Sequence, residues 1–291
     1  MRPGKFGKSN MRILISGATG FIGQKLTYLL CDNGHDVAIL TRKDTFIKNV
    51  KSISADLDKS KNEIINFQPE ILFHLAGSSI YSKSYNDQEL LLRDNVFFGT
   101  HLVEILSDSA LKKIIYFNTS LGYNDYLIQP NSYYALTKVC FYETLKFYCR
   151  INNIKAFNFI LYNVYGENDN TKRALNYILD SIESPNPILM SPGDQKMDFI
   201  HVNDVLELCL QSLVFDPVDE VEDVHVGTGK GNSLKDVAQY ISNYLEIKLN
   251  IEFGGLPYRK HEKMNNVAPI EKNRFWKSTI SLADGLKSML K

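Results

Sequence analysis

The chain has 291 residues, 44% hydrophobic and 23% charged, as in a soluble globular protein forming one large domain or two close ones. Its 33 basic and 33 acidic residues cancel, so no net field draws it to nucleic acid or to an acidic membrane surface. No apolar run approaches the ~20 residues that span a bilayer. The first ten residues, MRPGKFGKSN, lack the apolar stretch of a secretory signal and read as a disordered extension or tag remnant before Met11.

From Met11 onward, short apolar runs alternate with helical patterns. MRILISG (11–17), DVAILT (36–41), ILFHLA (71–76) and KIIYFNT (113–119) read as buried strands. Between them, 21–33, 59–67 and 87–110 carry helical periodicity. A helix at 131–152 follows, then a strand over KAFNFILYNVYG, 155–166. This order predicts an α/β fold, a Rossmann-type doubly wound parallel sheet over 11–165. Beyond residue 166 the rhythm loosens: helices are expected at 171–183, 203–214 and 233–246, with a late strand at IEFGG. Residues 166–291 are therefore expected to form mainly a smaller α/β lobe that binds substrate.

The four cysteines, Cys31, Cys140, Cys149 and Cys209, fall in helix-like segments and form no CxxC or metal-ligand spacing. They read as reduced, packed thiols, so no metal and a cytoplasmic location are expected.

Strand 11–17 runs straight into GATGFIG. Gly17 allows the tight turn, Gly20 lets backbone approach a pyrophosphate, and Gly23 lets the helix pack close to the strand. The helix N-terminus then offers free N–H groups to an anion, with Thr19, Phe21 and Ile22 in the same turn. At the end of the second predicted strand, an acidic residue would bind a ribose 2′-hydroxyl. Thr41, Arg42 and Lys43 stand there instead. The Arg42 guanidinium suits a 2′-phosphate, which favours NADP; otherwise it is a solvated loop charge. Asp56, with Leu57 beside it, is the candidate for the adenine amino group, or else the start of a helix.

The sequence contains Tyr-x-x-x-Lys three times, at Tyr134/Lys138, Tyr142/Lys146 and Tyr244/Lys248. Each spacing puts the pair on one helix face, so spacing does not choose among them.

Taken with GATGFIG, the segments Asp56-Leu57, FHLAG (73–77), DNVFFGT (94–100), FNTS (117–120), SYYALTK (132–138), YNVYG (162–166) and DFIHVNDV (198–205) resemble the extended short-chain dehydrogenase/reductase family. That family acts largely on nucleotide sugars. The resemblance implies that Leu75, Ala76 and Gly77 let the cofactor lie against the sheet, and that Asn95 is the family's helix asparagine. It implies that Thr119, or Ser120 one residue along, orients the substrate carbonyl. It also picks Tyr134 with Lys138 as the catalytic pair. A nearby ammonium favours the phenolate, so Tyr134 can give a proton to the oxygen as hydride reaches the carbonyl carbon. Lys138 would also hold the nicotinamide ribose. Tyr142 lies roughly 80° around the helix from Tyr134 and is expected to pack or to serve a dimer surface.

Within the family, Ser120 and Leu121 after Thr119 replace the Asp-Glu of dehydratases and argue against 4,6-dehydration. The NADP-like Thr41-Arg42 suggests an exchangeable reductant, where epimerases retain NAD. The stretch from HVGTGKGNSLKDVAQYI onward resembles the tails of CDP-abequose synthase and related 4-ketosugar reductases. The resemblance implies NADPH reduction of the C4 ketone of a nucleotide-linked 6-deoxy or 3,6-dideoxy sugar, in deoxysugar biosynthesis for surface polysaccharide such as O-antigen. Asn163 would contact the sugar or its diphosphate, and Arg259 the diphosphate. Met197 and Lys196 stand where relatives often carry Arg before DFIHV, and Ile160 where many carry Arg. A nucleotide-sugar epimerase and a non-catalytic NADP-sensing protein are the alternatives. A homodimer through the helices at 87–110 and 131–152 is expected, with no nucleic-acid or membrane partner.

Overall fold

The computed structural model describes residues 10–43, 45–171 and 173–290, so the predicted extension falls, apart from Asn10, outside the described residues. In chain order the elements are β1 (Arg12–Ser16), α1 (Phe21–Asp32), β2 (Asp36–Thr41), β3 (Val50–Ser54), α2 (Leu57–Phe67), β4 (Ile71–His74), α3 (Tyr85–Leu92), a π-helical turn (Arg93–Phe97), α4 (Phe98–Leu106) and β5 (Lys113–Thr119). Next come a 3-10 turn (Ser120–Gly122), β6 (Tyr123–Asn124), β7 (Leu127–Ile128), α5 (Tyr133–Asn152), β8 (Lys155–Leu161), β9 (Asn163–Tyr165), α6 (Ala174–Asp180), β10 (Ile188–Met190), β11 (Lys196–His201) and α7 (Val202–Val214). The chain ends with β12 (Val221–Val226), β13 (Gly231–Ser233), α8 (Leu234–Leu245), β14 (Ile251–Phe253), β15 (Asn265–Asn266), a 3-10 turn (Ile270–Lys272) and α9 (Leu282–Met289).

The main sheet has seven strands in the order β12-β8-β5-β4-β1-β2-β3, with parallel ladders from β3 through β5. This is the doubly wound α/β arrangement expected from the sequence, and its strand order reverses between β1 and β4. Ligands of such sheets bind outside the strand carboxyl ends at that reversal. Central strands are aliphatic on both faces because helices cover both. Edge strand β3, VKSIS, buries only Ile53 fully and keeps Lys51 in solvent.

The chain folds into two compact units. The first comprises the described residues through Asn118 together with 133–159 and 209–223; the second comprises 119–132, 160–208 and the described residues from Val224 onward. In the first, Leu14, Leu72, Ile114 and Tyr116 from the sheet pack with Ile64 and Phe67 of α2, Leu102 and Leu106 of α4, and Phe141 and Leu145 of α5. Lys113 is buried and donates to the carbonyls of Ser212 and Phe215 at the end of α7, where a helix terminus welcomes a cation.

In the second unit β9, β11, β13 and β15 form one small sheet, and β10 pairs with β14. Helix α8 begins with a capping box between Ser233 and Asp236 and buries Leu234, Val237 and Ile241 against Tyr165, Leu175, Ile178 and Phe199. Asp198 on β11 is fully buried. Its carboxylate accepts from the Thr228 amide (2.9 Å) and hydroxyl (2.6 Å), the Gly229 amide (2.8 Å) and the Ala268 amide (3.2 Å). Asp198→Asn turns an amide donor against those donors and is expected to cost about 3 kcal/mol, read as a lower urea midpoint. An unchanged midpoint would refute that account.

Two expected elements differ. The helix expected over 87–110 is α3, a π turn and α4, because the extra residue in the turn rotates Asn95 inward. The strand expected over 155–166 breaks at Tyr162, with β8 in the large sheet and β9 paired to β11.

Candidate active site

The turn between β1 and α1 is shaped by its glycines. Gly17 has φ +77°, and a Cβ there would lie 2.6 Å from the Ala76 nitrogen. A Cβ on Gly23 would lie 2.2 Å from the Gly17 carbonyl oxygen. Gly20 is the α1 N-cap, with no side-chain cap and no acidic residue in the first turn of the helix. Its amide donates to Gly17 O at 3.1 Å. Thr19 is exposed, and Phe21 and Ile22 are half-buried beside it. Uncapped amides at a helix start, with backbone where side chains would stand, are the geometry that can hold an anion. The residues fit a dinucleotide pyrophosphate.

Around this turn, Leu75 donates its amide to Ser16 O (3.0 Å), which sets Ala76 and Gly77 at the end of β4. Asn95 is buried. Its Oδ1 accepts from the Ser78 amide (2.7 Å), and its Nδ2 donates to Ser78 O (2.9 Å) and Thr137 Oγ1 (3.0 Å). Asn95 therefore ties the loop after β4 to α5, a structural role. At the end of β2, Thr41 is buried with its hydroxyl on Lys43 O (2.7 Å), while Arg42 is exposed. Asp56 precedes α2 but caps nothing with its side chain. The carboxylate takes Lys59 at 2.7 Å, which lowers its pKa, and Leu57 is buried behind it.

Helix α5 carries both Tyr134, half-buried, and Lys138, buried. The Lys138 ammonium sits 4.4 Å from the centroid of the Tyr116 ring. Burial draws its pKa down to about 7. His74 is buried against Tyr116 and Phe141; burial first, then the Lys138 charge, lowers its pKa to about 3, so it stays neutral. One turn along the helix Tyr142 is 7% exposed and belongs to the hydrophobic core, with Lys146 4.8 Å over its ring. It packs, as expected. Tyr244 is exposed and stacks on Tyr240.

The second unit holds the remaining predicted residues. Thr119 ends β5 and accepts from the Leu121 amide at 3.3 Å. Ser120 is buried, and Asn266 Nδ2 donates to its hydroxyl at 3.0 Å. Lys263 donates to Ser120 O (3.3 Å) and Tyr123 O (2.7 Å), and burial lowers its pKa. The sequence pattern pointed to neither Lys263 nor Asn266: each lies more than 140 residues from the turn it holds. Asn163 on β9 donates to Asp198 O at 3.0 Å. Arg259 is exposed in the loop after β14, and Lys196, beside Met197, pairs with Asp236 at 2.9 Å. Fourteen of the predicted site residues thus lie in the first unit, and Thr119, Ser120, Asn163 and Arg259 in the second.

The model of the NAD dependent epimerase/dehydratase family matches residues 13–227. CDP-abequose synthase of Salmonella muenchen is 27% identical, over 97% of both chains. A Methanocaldococcus jannaschii protein with a provisional UDP-glucose 4-epimerase name is also 27% identical, over 96% of this chain and 97% of its own. The Bacillus cereus UDP-glucuronic acid 4-epimerase, solved with UDP-glucuronic acid and NAD, superposes with a TM-score of 0.86 at 20% identity, covering 96% and 98%. A glycine-shaped anion cradle at the sheet's reversal, a Tyr–Lys pair on the following long helix and a family match across most of the chain agree: this protein belongs to the NAD dependent epimerase/dehydratase family of nucleotide-sugar enzymes.

Proposed function

We propose that the protein is an NADPH-dependent reductase of the C4 ketone of a nucleotide-linked 4-keto-6-deoxy or 3,6-dideoxy hexose, in cytoplasmic deoxysugar biosynthesis for surface polysaccharide. The observation that carries this reading is the end of β2: a buried Thr41 and an exposed Arg42 stand where an acidic side chain would select NAD. Likeness to CDP-abequose synthase along the full chain supports the substrate class.

In this reading Arg42 meets the 2′-phosphate and Asp56 the adenine amino group, while the amides of Thr19 to Ile22 and the α1 N-terminus hold the pyrophosphate. NADPH, when bound, supplies the hydride. Tyr134 gives its phenolic proton to the ketone oxygen, and Lys138, one turn on, favours the phenolate that remains. The Thr119 hydroxyl, turned by the Leu121 amide, is a second donor to that oxygen, with Ser120 the alternative. Asn163 and Arg259 contact the sugar and its diphosphate. The exposed apolar side chains Phe97, Leu136 and Phe147 are read as the face of a homodimer.

A panel of CDP-, dTDP-, UDP- and GDP-linked 4-ketosugars, followed by NADPH absorbance, tests this. Oxidation of NADPH faster than NADH with at least one of them is expected; no oxidation with any would sink the reading. The second reading, an epimerase, has the Methanocaldococcus jannaschii relative in its favour. It predicts oxidised dinucleotide that copurifies and a sugar interconverted with no net NADPH use.

A further inference from the structure

Lys138 is a buried ammonium. Its side chain leaves α5 between Gly77, whose added Cβ would lie 3.7 Å from Nζ, and the ring of Tyr116 on β5. Among the described residues no carboxylate forms an ion pair with it. Such a cation is costly to hold charged unless something nearby carries negative potential. The face of an aromatic ring does, and Nζ lies 4.4 Å from the centre of this one.

Tyr116 is itself fixed on every side. It is fully buried, and its hydroxyl donates to the Lys138 backbone carbonyl at 3.0 Å. The His74 ring stacks on it with centroids 5.8 Å apart and planes 21° apart, and Phe141 meets it edge-on at 4.9 Å. Phe141 cannot retreat without changing its packing on Gly99, where an added Cβ would lie 2.5 Å from the ring. One residue therefore touches Lys138 twice, at the ammonium through its ring and at the backbone through its hydroxyl.

We propose that Tyr116 is the positioning residue of Lys138: its ring is the floor that keeps the ammonium charged and aimed. The proposal rests on the reading of Lys138 as the partner of Tyr134. The titratable groups beside Nζ are His74 from β4 and Tyr116 from β5, and Tyr134 stands one turn earlier on the same helix. His74 is held neutral by burial and adds no opposing charge. Burial alone draws the lysine pKa down to about 7, so the ring acts against that pull. Without the ring the charged form loses stability and the midpoint falls further.

The test measures the Lys138 midpoint directly, with no substrate. The full chain is prepared with carbon-13 labelling at the lysine ε-carbon, and the titration of the Lys138 resonance across a pH series is read by NMR. Tyr116→Leu is expected to lower the midpoint by about one pH unit, the size of a buried cation–π contact, while Tyr116→Phe leaves it in place. Because the leucine variant leaves a gap in the core, a same-shape series backs it. Phenylalanine at 116 is replaced by increasingly fluorinated phenylalanines, which drain the ring's negative face and should lower the midpoint step by step. A midpoint that stays fixed along the fluorinated series overturns the proposal. If a ketosugar substrate is found, the alkaline fall of kcat, where Lys138 loses its proton, should move down with the same series. If every sugar in the panel fails, the titration still decides whether Tyr116 governs Lys138, so the two readings fail separately.

Discussion

Tyr134→Phe is expected to lower turnover with a 4-ketosugar roughly a thousandfold while leaving NADPH affinity within about twofold, because general acid catalysis contributes on that scale. The substitution removes one oxygen and keeps the ring, so the half-buried packing at the start of α5 survives. The loss should fall on kcat with little change in KM, as for an interaction made chiefly in the transition state. Tyr142→Phe is the control. Its ring packs in the core beneath Lys146, and its removal from chemistry should leave kcat unchanged. Stopped-flow and steady-state assays of both variants check this; full loss in the Tyr142 variant with retention in the Tyr134 variant would reverse the assignment.

Gly23→Ala should damage the nucleotide turn severely. The new Cβ would lie 2.2 Å from the Gly17 carbonyl oxygen and 2.9 Å from the Ala18 Cα, both backbone atoms that cannot swing away. Relief requires α1 to lift from the turn whose amides face the pyrophosphate. A strain of about 3 kcal/mol is typical for forced overpacking, and spent on that turn it weakens NADPH binding roughly a hundredfold. Gly34→Ala makes the contrast. Gly34 has φ +85° but nothing within 4 Å of an added Cβ, so the change should cost about 1 kcal/mol of stability and leave binding alone. Fluorescence titration with NADPH and thermal melts of the two variants separate the effects. Equal affinity losses would show that the close approach at Gly23 does not govern the cradle.

The parts of the site that were legible in the sequence are local. The glycines of GATGFIG act within seven residues, and the aliphatic runs that flank them announce β1 and the helix it feeds. Tyr134 and Lys138 share a helix face by spacing, although the family pattern was needed to prefer them over the pair that starts at Tyr142. What stayed hidden depends on distant partners. Tyr116 reads only as one more strand residue until folding brings it under a lysine 22 positions away. Lys263 and Asn266 lie in a polar stretch with no periodicity, and their hold on Ser120 exists only in three dimensions. The break of 155–166 into two strands was equally silent, because both halves are apolar and only pairing separates them. Strand β11 and the short β13 and β15 carry no strand signal, because β11 mixes polar and apolar residues, β13 and β15 are polar, and none has the continuous apolar run of β1 or β4.

The π-helical turn at Arg93–Phe97 makes chain length itself a constraint. Deleting one residue there would restore ordinary α geometry and leave α3 and α4 facing as they do, because the π turn takes up that one extra residue. Gly99 would keep its place against the Phe141 ring, but the inward bulge that holds Asn95 on Ser78 and Thr137 would be lost. Substitutions on the outer side of this turn can be absorbed one at a time, but a deletion removes the tie between the loop after β4 and α5. The length from Leu91 to Gly99 is set by the inward turn of Asn95 rather than by the packing of the two helices.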